Sequence, residues 1–328
     1  MTAQLAPAPP AGTAGTAGSA GSADTAGTAR TTAPAWRRIG GGEGGRTVLA
    51  VDYDATGRPE ASFDQLAAHP ALAGLSLWHA VQPETGPGAT ARAEDYLRAW
   101  QRPPATDGPV EAVLGYCVGG VFAGELADRL AEQQGFRPRV LLFDPEPVDD
   151  GSVLRDFLKT LDTMTILSTA ERAEHRARAE AAHAAAGADF AAAAAGITAV
   201  YEAAAGEAFE RLGLDEEESE DLLDLFRSYV RYLTAARDLS PEPGWATATA
   251  LTSAGSSPGA PHAREELGFE TTTAALLEDD GVARAVARLL AAPGPATPGS
   301  DDPGRPAPAA DDPTTAAATP PSPAGERA

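Results

Sequence analysis

Val113-Leu-Gly-Tyr-Cys-Val-Gly-Gly120 decides how this chain is read. An apolar run, Val110 to Leu114, ends in Gly115, and Cys117 follows two residues later. Gly119 and Gly120 come next, and then Val121, Phe122, Leu126 and Leu130 recur at helical spacing up to Gly135. The pattern predicts a strand, a sharp turn and a helix, with the only cysteine of the sequence at the apex.

A reactive side chain held on such a turn is approached by backbone from both sides. Gly115 and Gly119 remove the Cβ atoms that would collide there, and Gly120 lets the helix pack on the sheet. This is the pattern of a nucleophile elbow, with Cys where Ser is usual. The thiol would stand at a helix N-terminus, where unpaired N–H groups favour an anion and would lower a thiol pKa from its free value of about 8.5. The same groups could bind the oxyanion of a tetrahedral intermediate, with Val118 as donor. The plainer reading, an inert buried thiol on an ordinary turn, stands beside it. Gly115, Gly119 and Gly120 do not make G-x-G-x-x-G, and no Walker lysine follows.

Outward from the elbow, strands and helices alternate. Thr47–Val51 predicts a strand and Ser62–His69 a helix ended by Pro70. Leu75–Val81 predicts a strand, Ala91–Gln101 a helix, and Arg139–Phe143 a strand ending at Asp144-Pro145. This spacing implies an α/β fold with a mostly parallel, doubly wound sheet. From 150 to 243 the alternation stops. The segment is Ala-rich and helical, and Asp215–Glu218 reads as the acidic first turn of one of its helices. Ala246–Leu251 then predicts a return strand and Val282–Leu290 a last helix. The core is thus expected over 45–149 and 244–292, with 150–243 as a helical lid. Residues 1–44 (Ala, Gly, Thr and Ser repeats) and 293–328 (Pro, Ala, Asp and Thr) hold few large apolar side chains and are expected to be disordered tails.

The net charge of −22 argues against nucleic acid and anionic membranes as partners. No apolar run is long enough to span a bilayer, and the N-terminus has no secretory pattern, so the expected location is cytoplasmic. A single cysteine excludes an internal disulfide and a Cys-based zinc site, and no metal or cofactor is expected.

The order of these motifs resembles the α/β-hydrolase fold, and more narrowly the thioesterases that work beside polyketide and nonribosomal peptide synthetases. Gly115-Tyr-Cys-Val-Gly-Gly120 is similar to their Gly-Tyr-Ser-x-Gly-Gly elbow, in a Cys variant. Val48-Leu-Ala-Val-Asp-Tyr-Asp-Ala-Thr-Gly57 is similar to their oxyanion-loop segment, which implies Ala55 as a second N–H donor beside Val118. Val140-Leu-Leu-Phe-Asp144 is similar to the strand whose last Asp orients the catalytic His. A helical lid after that strand is also a feature of these enzymes. Leu276-Leu277-Glu-Asp-Asp-Gly-Val282 is similar to the stretch just after the family's His. The resemblance implies a hydrolase or acyltransferase of secondary metabolism. It would act through Cys117 on an acyl thioester carried on the phosphopantetheine arm of a carrier protein.

At the position of the family's His the chain departs from the pattern. It reads Phe269-Glu-Thr-Thr-Thr-Ala-Ala-Leu276, with Thr272 or Thr273 in place of the base. His262, upstream in the same loop, and His79, near the end of the second strand of the alternation, are the candidate substitutes. His175 and His183 read as peripheral residues on the surface of the lid, and His69 ends a helix before Pro70. A thiol is a few per cent ionised at neutral pH, so losing the base slows acylation less than it would for Ser. Deacylation by water still needs a base and should be slow. Two functions stay open: a slow thioesterase or acyltransferase, and a degenerate relative that binds an acyl chain or a synthetase partner.

Overall fold

The computed structural model describes residues 35–41, 45–53, 60–83, 92–104, 108–255 and 257–292. Of the tails expected over 1–44 and 293–328, residues 1–34, 42–44 and 293–328 lie outside the described residues, as does Ala55.

Strands β1 (Trp36–Gly40), β2 (Arg46–Val51), β3 (Leu75–Ala80), β4 (Val110–Tyr116), β5 (Arg139–Phe143), β6 (Thr249–Thr252) and β7 (Glu265–Gly268) form one sheet in the order β1-β3-β2-β4-β5-β6-β7. Every pairing is parallel except β1 with β3. The interior strands are almost wholly buried, as strands covered on both faces must be, so they read as continuous apolar runs rather than alternating ones. Leu49, Val51, Val113 and Leu142 face one side, and Val48, Ala50, Leu114, Leu141 and Phe143 the other.

On the first side lie α2 (Ala93–Trp100), α3 (Gly119–Gln134) and α8 (Pro241–Trp245); on the second lie α1 (Phe63–Ala67) and α9 (Asp280–Ala291). Ser62 starts α1 with a capping box: its side chain accepts the Asp64 N–H, while Gln65 reaches back to the Ser62 N–H. Helix α3 stops at Gly135, which takes the left-handed conformation (φ +80°) that a C-terminal cap favours.

Between β5 and β6 run α4 (Ser152–Thr163), α5 (Thr169–Ala186), α6 (Phe190–Leu212) and α7 (Glu216–Arg237). Asp215 caps α7 by accepting the Glu218 N–H at 2.9 Å, and Glu216, Glu217 and Glu218 fill its first turn. The Ala-rich faces of α5 and α6 bury Ala179, Ala193 and Ala204, small side chains that let two helices approach closely. Tyr201 and Phe226 stack at 3.7 Å to join α6 to α7. Helix α7 returns to the core through Tyr53, whose hydroxyl donates to Leu225 O at 2.8 Å and whose ring meets Tyr229 and Tyr232. Among the described residues no helix is long and apolar enough to cross a membrane.

Three elements differ from the sequence expectation. Residues 36–40, placed with the N-terminal tail, form β1; Trp36 is buried and donates to Arg102 O at 3.0 Å, which anchors this edge. Glu265–Gly268 forms β7 at the opposite edge, and its charged, exposed side chains hide the strand in the sequence. Helix α8 begins at Pro241, where the missing N–H is harmless, and delivers Trp245 to the core.

Candidate active site

Cys117 and Asp144 end adjacent parallel strands. Tyr116 and Phe143 are paired in register, so the residues after them stand side by side at the C-terminal edge of the sheet. Both turn off their strands in the left-handed region, at φ +50° and +40°. Each such non-glycine residue stores about 1–3 kcal/mol, which the surrounding structure must offset. Hydrogen bonds hold the turn at Cys117. Its N–H donates to Phe143 O at 2.8 Å, and its carbonyl accepts from Gly120 N at 3.1 Å and Glu146 N at 3.4 Å.

The glycines do what the sequence predicts. A Cβ on Gly115 would lie 2.5 Å from Gly120 Cα, so strand and helix meet there backbone to backbone. Behind α3, the Trp245 indole N–H donates to Gly120 O at 2.7 Å.

The Val118 N–H points at the Cys117 sulfur and stabilises its thiolate. The net effect on the thiol nevertheless runs opposite to expectation. Its pKa stands well above the ordinary value, first because the sulfur is desolvated and then because Glu146, Asp156 and Asp52 place negative charge around it. The helix N-terminus therefore does not ionise Cys117; burial and three carboxylates outweigh it. Alkylation by iodoacetamide should accordingly rise with pH to a midpoint above that of a free thiol, about 8.5. A midpoint at or below that value would contradict this electrostatic account. The sign for stability follows. A raised thiol pKa in the fold stabilises the protein fully below the unfolded value, and that contribution is lost as pH rises towards the folded one.

Glu146 is the hydrogen-bond partner of the sulfur, with Sγ donating to Oε2 at 3.7 Å. Its other oxygen, Oε1, accepts from Arg155 at 3.1 Å, and Arg155 also reaches Asp149 at 2.7 Å and Ser152 at 3.1 Å. Beyond these, Asp156 on α4 accepts from Lys159 at 3.0 Å and from the Tyr229 hydroxyl at 2.6 Å. Burial, followed by the charge of Asp156, keeps the Tyr229 phenol protonated. Helices α4 and α7 thus bring polar groups to the cysteine. Sequence reasoning missed Glu146, which is one of four acidic residues in the run Asp144–Asp150 and carries no local mark of its own.

Asp144 is buried, at 7% exposure. Oδ1 accepts the Ser253 N–H at 2.8 Å, whereas Oδ2 has no hydrogen-bond partner among the described residues. Ser253 Oγ in turn lies 2.9 Å from Thr273 Oγ1. Of the two threonines that could occupy the base position, Thr273 is therefore the one joined to Asp144 through Ser253.

Neither candidate histidine is brought to the sulfur. His79 is buried on β3, with β2 between its strand and β4, and its ring centroid is 6.2 Å from that of Phe63. The parallel register places it opposite Ala50, on the face covered by α1. His262 is exposed on a short 3₁₀ turn, with its ring 6.4 Å from Trp245. His69 pairs with Asp280 at 3.1 Å, and His175, buried in α5, with Glu207 at 3.4 Å. The expectation that His175 is peripheral is corrected by this burial, although it still lies in the helical insertion.

The chain matches no protein-family model and no curated protein sequence. Among solved structures it is similar to the Vlm2 thioesterase domain, at 17% identity over 78% of this chain and 95% of that one, with a TM-score of 0.40. It is also similar to the NocB thioesterase domain in covalent complex with a fluorophosphonate nocardicin G analogue, at 15% identity over 76% and 96%, with a TM-score of 0.42. An acetylester hydrolase from Corynebacterium glutamicum is similar at 14% identity over 78% and 88%, with a TM-score of 0.40.

Proposed function

We propose that this chain handles acyl thioesters through Cys117, as a thioesterase-like acyl hydrolase or acyltransferase of secondary metabolism. The observation that carries the reading is the strained apex at Cys117 with the Val118 N–H aimed at its sulfur. A structural thiol needs neither. The sulfur attacks the thioester carbonyl, the acyl group passes to Cys117, and the donor leaves as a thiol. The Val118 N–H steadies the oxyanion, and Ala55 is the proposed second donor. The donor is an acyl chain on a small thiol or on a carrier-protein phosphopantetheine arm, and the helical insertion serves as the lid over it.

The second step is slow. No histidine stands at the sulfur to deprotonate water, and Thr273 has no basicity near neutral pH. The acyl-Cys117 form should therefore persist and pass its acyl group to an amine or thiol faster than to water. Mass spectrometry after incubation with octanoyl-N-acetylcysteamine should show one acyl group on Cys117 and none on Cys117→Ala. An unmodified wild-type protein would sink the reading. One observation favours the alternative of a degenerate acyl- or synthetase-binding protein: among the described residues, the buried Asp144 Oδ2 has no hydrogen-bond partner. Reversible binding of the thioester without transfer would support that alternative.

A further inference from the structure

We propose that Glu146 is the proton acceptor for Cys117, a carboxylate serving the thiol where no histidine does. The inference rests on the reading of Cys117 as a nucleophile. It starts from the sulfur's surroundings. The thiol holds its proton at neutral pH, so attack requires an acceptor. Among the described residues, the acceptor hydrogen-bonded to Sγ is Glu146 Oε2, at 3.7 Å, a contact of the loose kind that tightens once substrate is bound.

The carboxylate is held for this use. The Glu146 N–H donates to Cys117 O at 3.4 Å, so the two residues are tied through the backbone. Arg155 grips Oε1 at 3.1 Å and leaves Oε2 to the sulfur. The same guanidinium is fixed by Asp149 and Ser152, which makes Arg155 a positioning residue. Of the other charged groups near the sulfur, Asp156 accepts from Lys159 and Tyr229, and Lys159 is a donor. Asp52, on the β2 side, adds negative charge.

The step balances without a further reactant. The S–H bond breaks and its proton moves to Glu146 Oε2 as the sulfur lone pair forms the S–C bond. The carbonyl π pair moves to oxygen, beside the Val118 N–H. Collapse expels the donor thiolate, which takes the proton back from Glu146. Nothing is oxidised or reduced.

A carboxylate beside a thiol also repels its thiolate, so proton acceptance must be separated from mere charge. The test compares wild type, Glu146→Gln and Glu146→Asp by acylation with octanoyl-N-acetylcysteamine and by alkylation with iodoacetamide. Gln removes the charge, so alkylation near neutral pH should speed up while acylation falls at least about 10-fold. Asp keeps the charge but withdraws the oxygen by one methylene. Its alkylation profile should stay near wild type while acylation falls. Acylation by Glu146→Gln at or above the wild-type rate would overturn the role of Glu146 alone. Absence of any acyl adduct on the wild type would overturn the nucleophile reading, and this inference with it.

Discussion

Under the proposed function, Thr273→His is expected to release an acyl group that the wild type would hold, with deacylation accelerated by about 10²–10⁴-fold, the range a positioned general base contributes. Asp144 is the proposed acid for such a base. Among the described residues Asp144 Oδ2 is buried without a partner, an arrangement that leaves the desolvation of a carboxylate oxygen uncompensated. A histidine N–H is the group that would satisfy it. The Thr273 side chain points into the same network through Ser253 Oγ and is exposed, so a larger ring has room. The backbone there is fixed on two sides. The Tyr116 hydroxyl donates to Thr273 O at 3.5 Å, and Ala61 N donates to Ala274 O at 2.8 Å. Thr272→His, one residue away and outside that network, should gain nothing. Adding Asp144→Asn to Thr273→His should remove most of the gain. The measurement is loss of the acyl adduct with time, and a Thr273→His protein that deacylates no faster than wild type would show that Asp144 is not aimed at this position.

The same pair of residues shows where sequence reasoning reaches and where it stops. Cys117, its glycines and Asp144 are legible because they obey local rules: glycine where backbones touch, and strand ends marked by Gly115 and Pro145. The mostly parallel sheet follows from the alternation of apolar runs with helices. Glu146 is not legible, because nothing local distinguishes it from the other acidic residues of Asp144–Asp150. Its role arises only when Asp144 turns at φ +40° and swings the next residues back over the neighbouring strand. The sign of the thiol shift was missed for a related reason. A helix N-terminus can be read from sequence, whereas Asp156 and Asp52 come from elements 39 and 65 positions from Cys117 (156 − 117 and 117 − 52) and meet it only in the fold. The edge strands β1 and β7 escaped because an edge carries charge on purpose. Arg37, Arg38, Glu265 and Glu266 interrupt the apolar pattern that marks an interior strand.

Gly119→Ala is expected to be the most damaging single-methyl change among the three glycines of the elbow. The added Cβ would lie 2.2 Å from Val51 O and 2.8 Å from Val51 C. Both are backbone atoms at the end of β2, so no rotamer change relieves the clash, and α3 must move away from the sheet. Overpacking of this kind costs about 3 kcal/mol. For a domain of this size that lowers Tm by about 6–12 °C. Activity should suffer beyond stability, because the displaced helix carries the Val118 N–H and pulls on the apex at Cys117; a misplacement of about 1 Å at a reacting centre can cost about 10²-fold. Gly206→Ala is the matched control. It adds the same methyl inside α6, where no atom lies within 4 Å, and should stabilise the helix by about 0.5–1 kcal/mol. Thermal melting of the two variants, read beside acylation of Cys117 at a temperature where both are folded, separates the two effects. If Gly119→Ala melts with Gly206→Ala and acylates at the wild-type rate, close approach of α3 to β2 is not what holds the elbow.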